Sequence, residues 1–271
     1  MRTVGEILKT GYLPRKQAEL LLGFILNLKP LDLYLQFDLP LQPEELQRAR
    51  DLFKRAKEGT PVEYLMGQVE FFDLSIKVTK DVLIPRPETE LLLYHVVKMI
   101  SPKGTLFDIC CGSGCIGLSL KKKLPELKVY LSDLSLPALA VAKENGKDLD
   151  VTFFHGDLLA PFQGLKADVV ISNPPYVIEG SLPDNGEPHM ARFAGAGGLE
   201  FYERLKNELS PHLNDGAKVF FELGYDQGEK VVELFQEPHW INPRFEKDWS
   251  GKDRFFFTDF SLHKYESVHL Q

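Results

Sequence analysis

The sequence predicts an α/β chain in two parts: a small N-terminal helical bundle and a larger doubly wound parallel sheet, joined by a β-hairpin. Three observations carry this reading. Apolar residues recur at helical spacing over the first 66 positions, a Phe-, Val- and Ile-rich segment with a turn residue follows, and from Gly104 onward short apolar runs alternate with longer helical stretches. A length of 271 residues suits a catalytic domain of common size plus something smaller. With 44% hydrophobic and 26% charged residues, the chain has the composition of a globular protein that buries a core.

The helical spacing of residues 1–66 appears first in Val4, Ile7 and Leu8, then in Ala18, Leu21, Leu22, Ile25 and Leu26, then in Leu46, Leu52 and Phe53. Gly67 to Pro85 reads as a hairpin turning at Asp73, within a connecting segment 67–87. Residues 88–271 form the larger domain. Its strands are TLFDI, KVYLSD, VTFFH, ADVVIS and AKVFFEL, and its helices lie near 115–124, 135–148, 199–210 and 226–236. DRFFFTDFSL adds a late strand, antiparallel to the others. No internal repeat or low-complexity tract is visible.

The net charge is -7 with an isoelectric point near 5.6, which offers no general attraction to phosphate backbones; no direct nucleic-acid contact is expected. Cys110, Cys111 and Cys115 are too close together for a disulfide framework and match no zinc spacing, so they are expected to be small packing residues in a reducing cytoplasm, with no metal. No apolar run approaches the roughly 20 residues of a membrane span, and the charged N-terminus does not resemble an export signal. A soluble, cytoplasmic, monomeric protein is expected. The run Lys121 to Lys123 closes a predicted helix, where cations offset the helix dipole, and needs no partner.

In open α/β sheets ligands sit at the carboxyl ends of the strands, so the residues there carry the functional reading. After the first strand, DICCGSGCIG places Gly112, Gly114 and Gly117 in a GxGxxG that opens a helix, with Asp133 about 20 residues on. That pattern alone suits a dinucleotide equally well. Asp108 separates the two, because a carboxylate at the mouth of the loop repels a pyrophosphate and favours the ammonium and sulfonium of S-adenosyl-L-methionine. The loop Cys110, Cys111, Gly112, Ser113 and Gly114 is expected to hold that donor. Asp133 accepts both ribose hydroxyls and Asp157 an adenine amine, with Leu158 beside it.

The most specific element is Asn173-Pro174-Pro175-Tyr176, directly after ADVVIS. Proline fixes φ and removes an amide donor, so the loop is rigid and leaves the Asn173 side-chain oxygen and the Pro174 carbonyl as acceptors. Two acceptors hold a planar NH2 group, and Tyr176 offers an aromatic face against which a flat amide or base could lie. Asn173, Pro174 and Tyr176 are the expected catalytic residues. His155 and His189 are given no catalytic role.

These residues resemble the methyltransferases that modify exocyclic nitrogens of bases or the amide of glutamine. LIPRPETE from Leu83, EPHMARFAGAGGLEFYERL from Glu187, FELGYDQGEKV from Phe221 and KDWSGKDRF from Lys247 narrow the resemblance to the release-factor glutamine N(5)-methyltransferases, the HemK family. The resemblance covers essentially the whole chain. It implies a seven-stranded Rossmann-like class I methyltransferase domain, a helical N-terminal domain that takes part in substrate recognition, and the glutamine of a Gly-Gly-Gln loop as substrate. Pro175 and Arg86 join the expected substrate-binding residues, Arg86 either shaping the entrance or making an interdomain salt bridge. The chain departs from the family pattern at Cys110-Cys111, Leu158 and Gly197. The alternative is an exocyclic-amine methyltransferase acting on RNA or DNA.

Overall fold

The computed structural model describes residues 2–183 and 185–263. Two compact units divide between Val69 and Glu70. In the first, α1 (Val4–Lys9) begins at a reciprocal cap in which the Thr3 side chain accepts from the Glu6 N–H at 3.2 Å and the Glu6 carboxylate from the Thr3 N–H at 3.0 Å. The helices α2 (Arg15–Leu26) and α3 (Pro43–Lys57) follow, the latter opened by Pro43 and by a Gln42 N–H that donates to Glu45 at 2.7 Å. Val4, Leu21, Leu22, Leu33 and Phe53 are among the side chains of its own buried core, so the spacing seen in the sequence does face inward. A further helix, α4 (Val62–Met66), is too short for a periodic stripe and ends at Gly67 with φ 77°.

The hairpin pairs β1 (Gln68–Phe71) with β2 (Leu74–Lys77) across a two-residue turn in which Phe72 and Asp73 have φ of 44° and 66°. Positive φ at both central residues matches the strand twist. It is shorter than the predicted Gly67–Pro85 span. After Lys77 the Thr79 hydroxyl takes the Asp81 N–H at 3.2 Å and the Thr79 carbonyl takes the Val82 N–H, a local turn that draws the backbone out of the ladder.

The second unit holds a seven-stranded sheet of β3 (Gly104–Ile109), β4 (Leu127–Asp133), β5 (Val151–His155), β6 (Ala167–Ser172), β7 (Leu213–Glu222), β8 (Trp240–Lys247) and β9 (Asp253–Phe260), in the order β5-β4-β3-β6-β7-β9-β8. The first five are parallel and β9 runs antiparallel to both its neighbours. Between β3 and β6 the strand order reverses, which makes the crevice at their carboxyl ends the natural ligand site. Edge strand β8 was absent from the sequence reading because Pro243 and alternating charges break its pattern; the register shifts there, with Asn242 at φ 50°, so the proline sits in a bulge on an edge where its missing N–H is tolerated.

The helices are α5 (Pro87–Met99), α6 (Cys115–Lys123), α7 (Leu136–Asn145), α8 (Glu200–Leu209) and α9 (Gly228–Leu234). Four match predicted positions, while α5, opened by Pro87 and cut by no strand signal, was not anticipated. Aromatic rings fill the core on one face: Phe107 stacks on Phe162 at 4.2 Å and Phe221 on Phe256 at 5.7 Å. At the end of α6, buried Lys121 donates to the carbonyls of Pro125 and Leu127 at 2.9 and 2.8 Å, beyond the helix, and Lys122 donates to the Asp73 carbonyl at 2.7 Å, so these lysines do take partners where the sequence suggested none was needed. Among the described residues no helix is long and apolar enough to cross a membrane.

Candidate active site

A cavity of 310 Å³ opens at the carboxyl ends of β3, β4, β5 and β6, within the second unit. The strand-end residues read from the sequence converge on it: Cys110, Cys111, Gly112 and Ser113 after β3, Asp133 at the end of β4, Asp157 and Leu158 after β5, and Asn173 and Pro175 after β6. Arg86 closes another side.

The glycine loop owes its shape to backbone requirements. Cys110 takes φ 58° and Gly112 φ 54°, and a Cβ on Gly112 would meet nothing within 4 Å, so the loop leaves open space against the cavity. Gly117 is needed for closeness instead: a Cβ there would lie 2.9 Å from both the Asp108 carboxylate and Leu131. Gly114, at φ 79°, packs toward Leu118 and Ala142 behind the loop and does not line the cavity.

Asp108 is also displaced from its expected place. It is fully buried beneath the loop, with one oxygen accepting from the Gly117 N–H at 2.8 Å and the other meeting no hydrogen-bond partner among the described residues. Burial pushes its pKa up to about 7, opposed by the Gly117 N–H and reinforced by Asp133. Asp108 therefore lies beneath the loop and off the cavity wall. Asp133 behaves differently: its oxygens accept from Gly112 N–H and Ser135 N–H, each at 2.8 Å, while the side chain still lines the cavity. Burial raises its pKa against those backbone donors. A carboxylate oxygen accepts more than one hydrogen bond, so room remains for a hydroxyl. Asp157 gives one oxygen to Arg204 at 2.9 Å. Leu158, 3% exposed and at φ 43°, forms part of the wall.

In the Asn-Pro-Pro-Tyr loop, Asn173 is half-buried on the cavity wall, and no hydrogen bond among the described residues engages its side chain. Pro174 is buried and off the wall, and its carbonyl accepts from no described backbone N–H. Tyr176 departs from expectation. Its ring packs against the core cluster and is not among the cavity residues, and its hydroxyl donates to Glu222 at 3.2 Å because a buried carboxylate demands donors. Arg86 pairs with Glu187 at 2.5 Å, a carboxylate that also accepts from the Ile84 N–H and from Asn185. Both partners lie in the second unit, so the interdomain salt bridge is replaced by a clamp between two cavity-lining segments.

The three cysteines all line the cavity as free thiols, and burial raises the pKa of each, Cys115 to about 12. Among the described residues no group of three or more His, Cys, Asp or Glu side chains is placed to hold a metal ion. His155 is exposed and meets the Leu134 carbonyl at 3.0 Å; His189 stands on the rim, paired with Glu179 at 2.8 Å.

Comparison with known proteins decides the family. A family model described as the methyltransferase small domain matches residues 87–187, and one described as the PrmC N-terminal domain matches residues 5–67. The release factor glutamine methyltransferase of Chlamydia trachomatis is 36% identical over 257 residues, covering 91% of this chain and 87% of its own. The protein of that name from Bacillus cereus is 38% identical over 259 residues, covering 89% and 91%. The chain belongs to the release factor glutamine methyltransferase family. A solved methyltransferase from Pyrococcus furiosus, 21% identical, covers 79% of the chain and 98% of its own with a TM-score of 0.54, a likeness of fold.

For this family member, the sequence reading missed residues that the fold brings to the site. Asp81, Thr89, Met190, Phe193 and Phe201 line the cavity, and Glu187 and Glu222 stand behind it. Glu222 carried a usable signal, since it ends strand β7 as Asp133 ends β4. The others lie on loops and a helix whose approach to the cavity depends on the tertiary fold.

Proposed function

We infer that the chain transfers a methyl group from S-adenosyl-L-methionine to the side-chain amide nitrogen of the glutamine in the Gly-Gly-Gln loop of a peptide-chain release factor. The observation that carries this is the Asn173 side chain, without a described hydrogen-bond partner, on a rigid diproline loop at the wall of a strand-end cavity. The relatives' names agree with it.

The cavity suits the donor. Its charged lining comprises Asp81, Asp133 and Asp157 against Arg86; with Arg86 paired to Glu187 and Asp157 to Arg204, Asp81 and Asp133 are left, so the potential favours a cation and disfavours a pyrophosphate. The open space above Gly112 and the unpartnered oxygen of Asp108 beneath the loop fit a positively charged guest. Bound there, S-adenosyl-L-methionine supplies an electrophilic methyl group on a sulfonium. Asp133 holds ribose hydroxyls, Asp157 keeps one oxygen for the adenine amine, and Cys110, Cys111, Ser113 and Leu158 pack around the donor.

An amide nitrogen is a poor nucleophile because its lone pair is delocalised, and no side chain is basic enough to deprotonate it first. Positioning therefore does most of the work. The Asn173 oxygen and the Pro174 carbonyl accept from the substrate NH2, orient its nitrogen and favour positive charge developing on it. The proton leaves after transfer, when the nitrogen is acidic, so no general base is required. Pro175 and Arg86 border the substrate side, and the helical unit of residues 1–66 contributes recognition of the protein substrate, with the segment 67–87 connecting it to the catalytic domain. A monomer in the cytoplasm that makes no direct nucleic-acid contact belongs to the same reading.

The test is methyl incorporation into intact release factor, its Gln→Asn variant and a structured RNA, side by side. A side chain one methylene shorter misplaces the nitrogen by about 1 Å, which costs about a hundredfold. Equal labelling of the two proteins, or preference for the RNA, would refute the assignment and favour the exocyclic-amine alternative.

A further inference from the structure

Glu222 is a buried carboxylate that the transfer chemistry leaves unused. It ends β7 at 1% exposure, and its pKa is raised by burial against the donors that surround it. A carboxylate buried this way is costly unless its oxygens are satisfied. The Thr89 hydroxyl donates to one oxygen at 2.6 Å and the Tyr176 hydroxyl to the other at 3.2 Å. Arg254, itself held by Asp248 at 3.3 Å, supplies the nearby positive charge.

Both donors belong to the site. Thr89 stands on the cavity wall from the first turn of α5, and Tyr176 ends the loop that begins with Asn173. Tyr176 is held at its main chain as well, where its carbonyl accepts from Gln227 at 3.0 Å while the Gln227 side-chain oxygen accepts from the Gly224 N–H at 2.9 Å. Between Tyr176 and Asn173 stand two prolines with fixed φ, so a displacement at the tyrosine is passed along the loop and not absorbed within it.

We propose that Glu222 is the positioning residue of the transfer site: through the Tyr176 hydroxyl it fixes the Asn-Pro-Pro-Tyr loop, and through Thr89 it locks that loop to α5, so that Asn173 meets the substrate amide in register. This deepens the functional reading and rests on it. Tyr176 is then a peg that sets the place of Asn173, and the strand-end carboxylate contributes to turnover without touching substrate or donor.

The test is a double-mutant cycle on the full chain with Glu222→Leu, which removes both acceptor oxygens, Tyr176→Phe and the double variant. Turnover and KM for release factor, donor affinity by calorimetry, and unfolding free energy are measured on all four proteins. Each single variant is expected to lower kcat by about tenfold or more, since small misplacements of reacting groups carry costs of that order, with donor affinity held within about twofold. The double variant should be no slower than the slower single, because both cut one link. Thr89→Ser should recover most of what Thr89→Val loses. Losses that multiply in the double variant, or unchanged kcat in Tyr176→Phe, overturn the proposal. A wild-type protein that leaves release factor unmethylated refutes the functional reading instead; the Glu222–Tyr176 link is then read from the unfolding free energies, where additivity overturns it independently.

Discussion

In the proposed reaction Asn173 is where the chemistry meets a single side chain. Its amide oxygen is an acceptor held on a stiff loop at the cavity wall, and the residues proposed to hold the donor lie on other strand ends. Asn173→Ala is expected to lower turnover by about a hundredfold or more while leaving donor affinity largely intact, the pattern of an interaction made in the transition state. Calorimetry and a turnover assay on one preparation check it, and near wild-type turnover would remove Asn173 from the mechanism. Asp108 makes a prediction of a different kind. Its pKa of about 7 lies above the ordinary 3.8, so the folded state holds the proton more tightly than the unfolded chain. The stability this contributes is fully present below about pH 4 and is lost as pH rises through about 7. Asp108→Asn keeps an acceptor for the Gly117 N–H and never ionises. Its unfolding free energy relative to wild type should therefore climb between about pH 4 and pH 7, by on the order of 3 kcal/mol, and then level off. Denaturant unfolding at several pH values measures this; a difference that stays flat would mean that Asp108 does not titrate in that window.

At the level of the element, the junction of β3, the glycine loop and α6 has the least room to change. Helix α6 approaches β3 closely enough that a Cβ on Gly117 would press on Asp108 and Leu131 at 2.9 Å. Gly117→Ala should destabilise the protein by about 1–3 kcal/mol through overpacking, despite the better helix propensity of alanine. The check is a urea or thermal unfolding curve, and a gain in stability would show that the helix can retreat. Elements that the pattern announced poorly fail for equally local reasons. The bulge at Asn242 and Pro243 hides edge strand β8, and α5 begins at a Pro87 that reads equally well as a turn.

For the whole molecule the question is what the helical unit adds. It has its own buried core around Leu21, Leu22 and Leu33, while the entire cavity belongs to the other unit. On the proposed reading, transfer to a minimal substrate needs only the second unit, whereas a folded protein substrate can draw orienting energy from remote contacts. Removing residues 1–66 should reduce methylation of intact release factor far more, by about tenfold or greater, than methylation of a short Gly-Gly-Gln peptide. The two rates measured on the truncated and full-length enzymes decide it, with circular dichroism to verify that the truncated chain folds. Equal losses on both substrates would leave the helical unit no part in recognition.

The alternation of apolar runs with helical stretches, the strand-end residues Asp133, Asp157 and Asn173, and the Asn-Pro-Pro-Tyr loop are properties of local sequence, and so most of the sheet and the strand-end part of the cavity wall are legible in it. Periodicity and fixed proline φ act over a few residues, and any reader of the chain meets them directly. What only the tertiary structure decided is direction and burial. Asp108 faces inward beneath its loop, Tyr176 turns its hydroxyl to Glu222 instead of offering its face to the cavity, and Arg86 meets Glu187 across 101 positions of chain. The Tyr176 and Arg86 contacts are settled by which buried carboxylate needs a donor and which donor can reach it, a balance struck between segments distant in sequence.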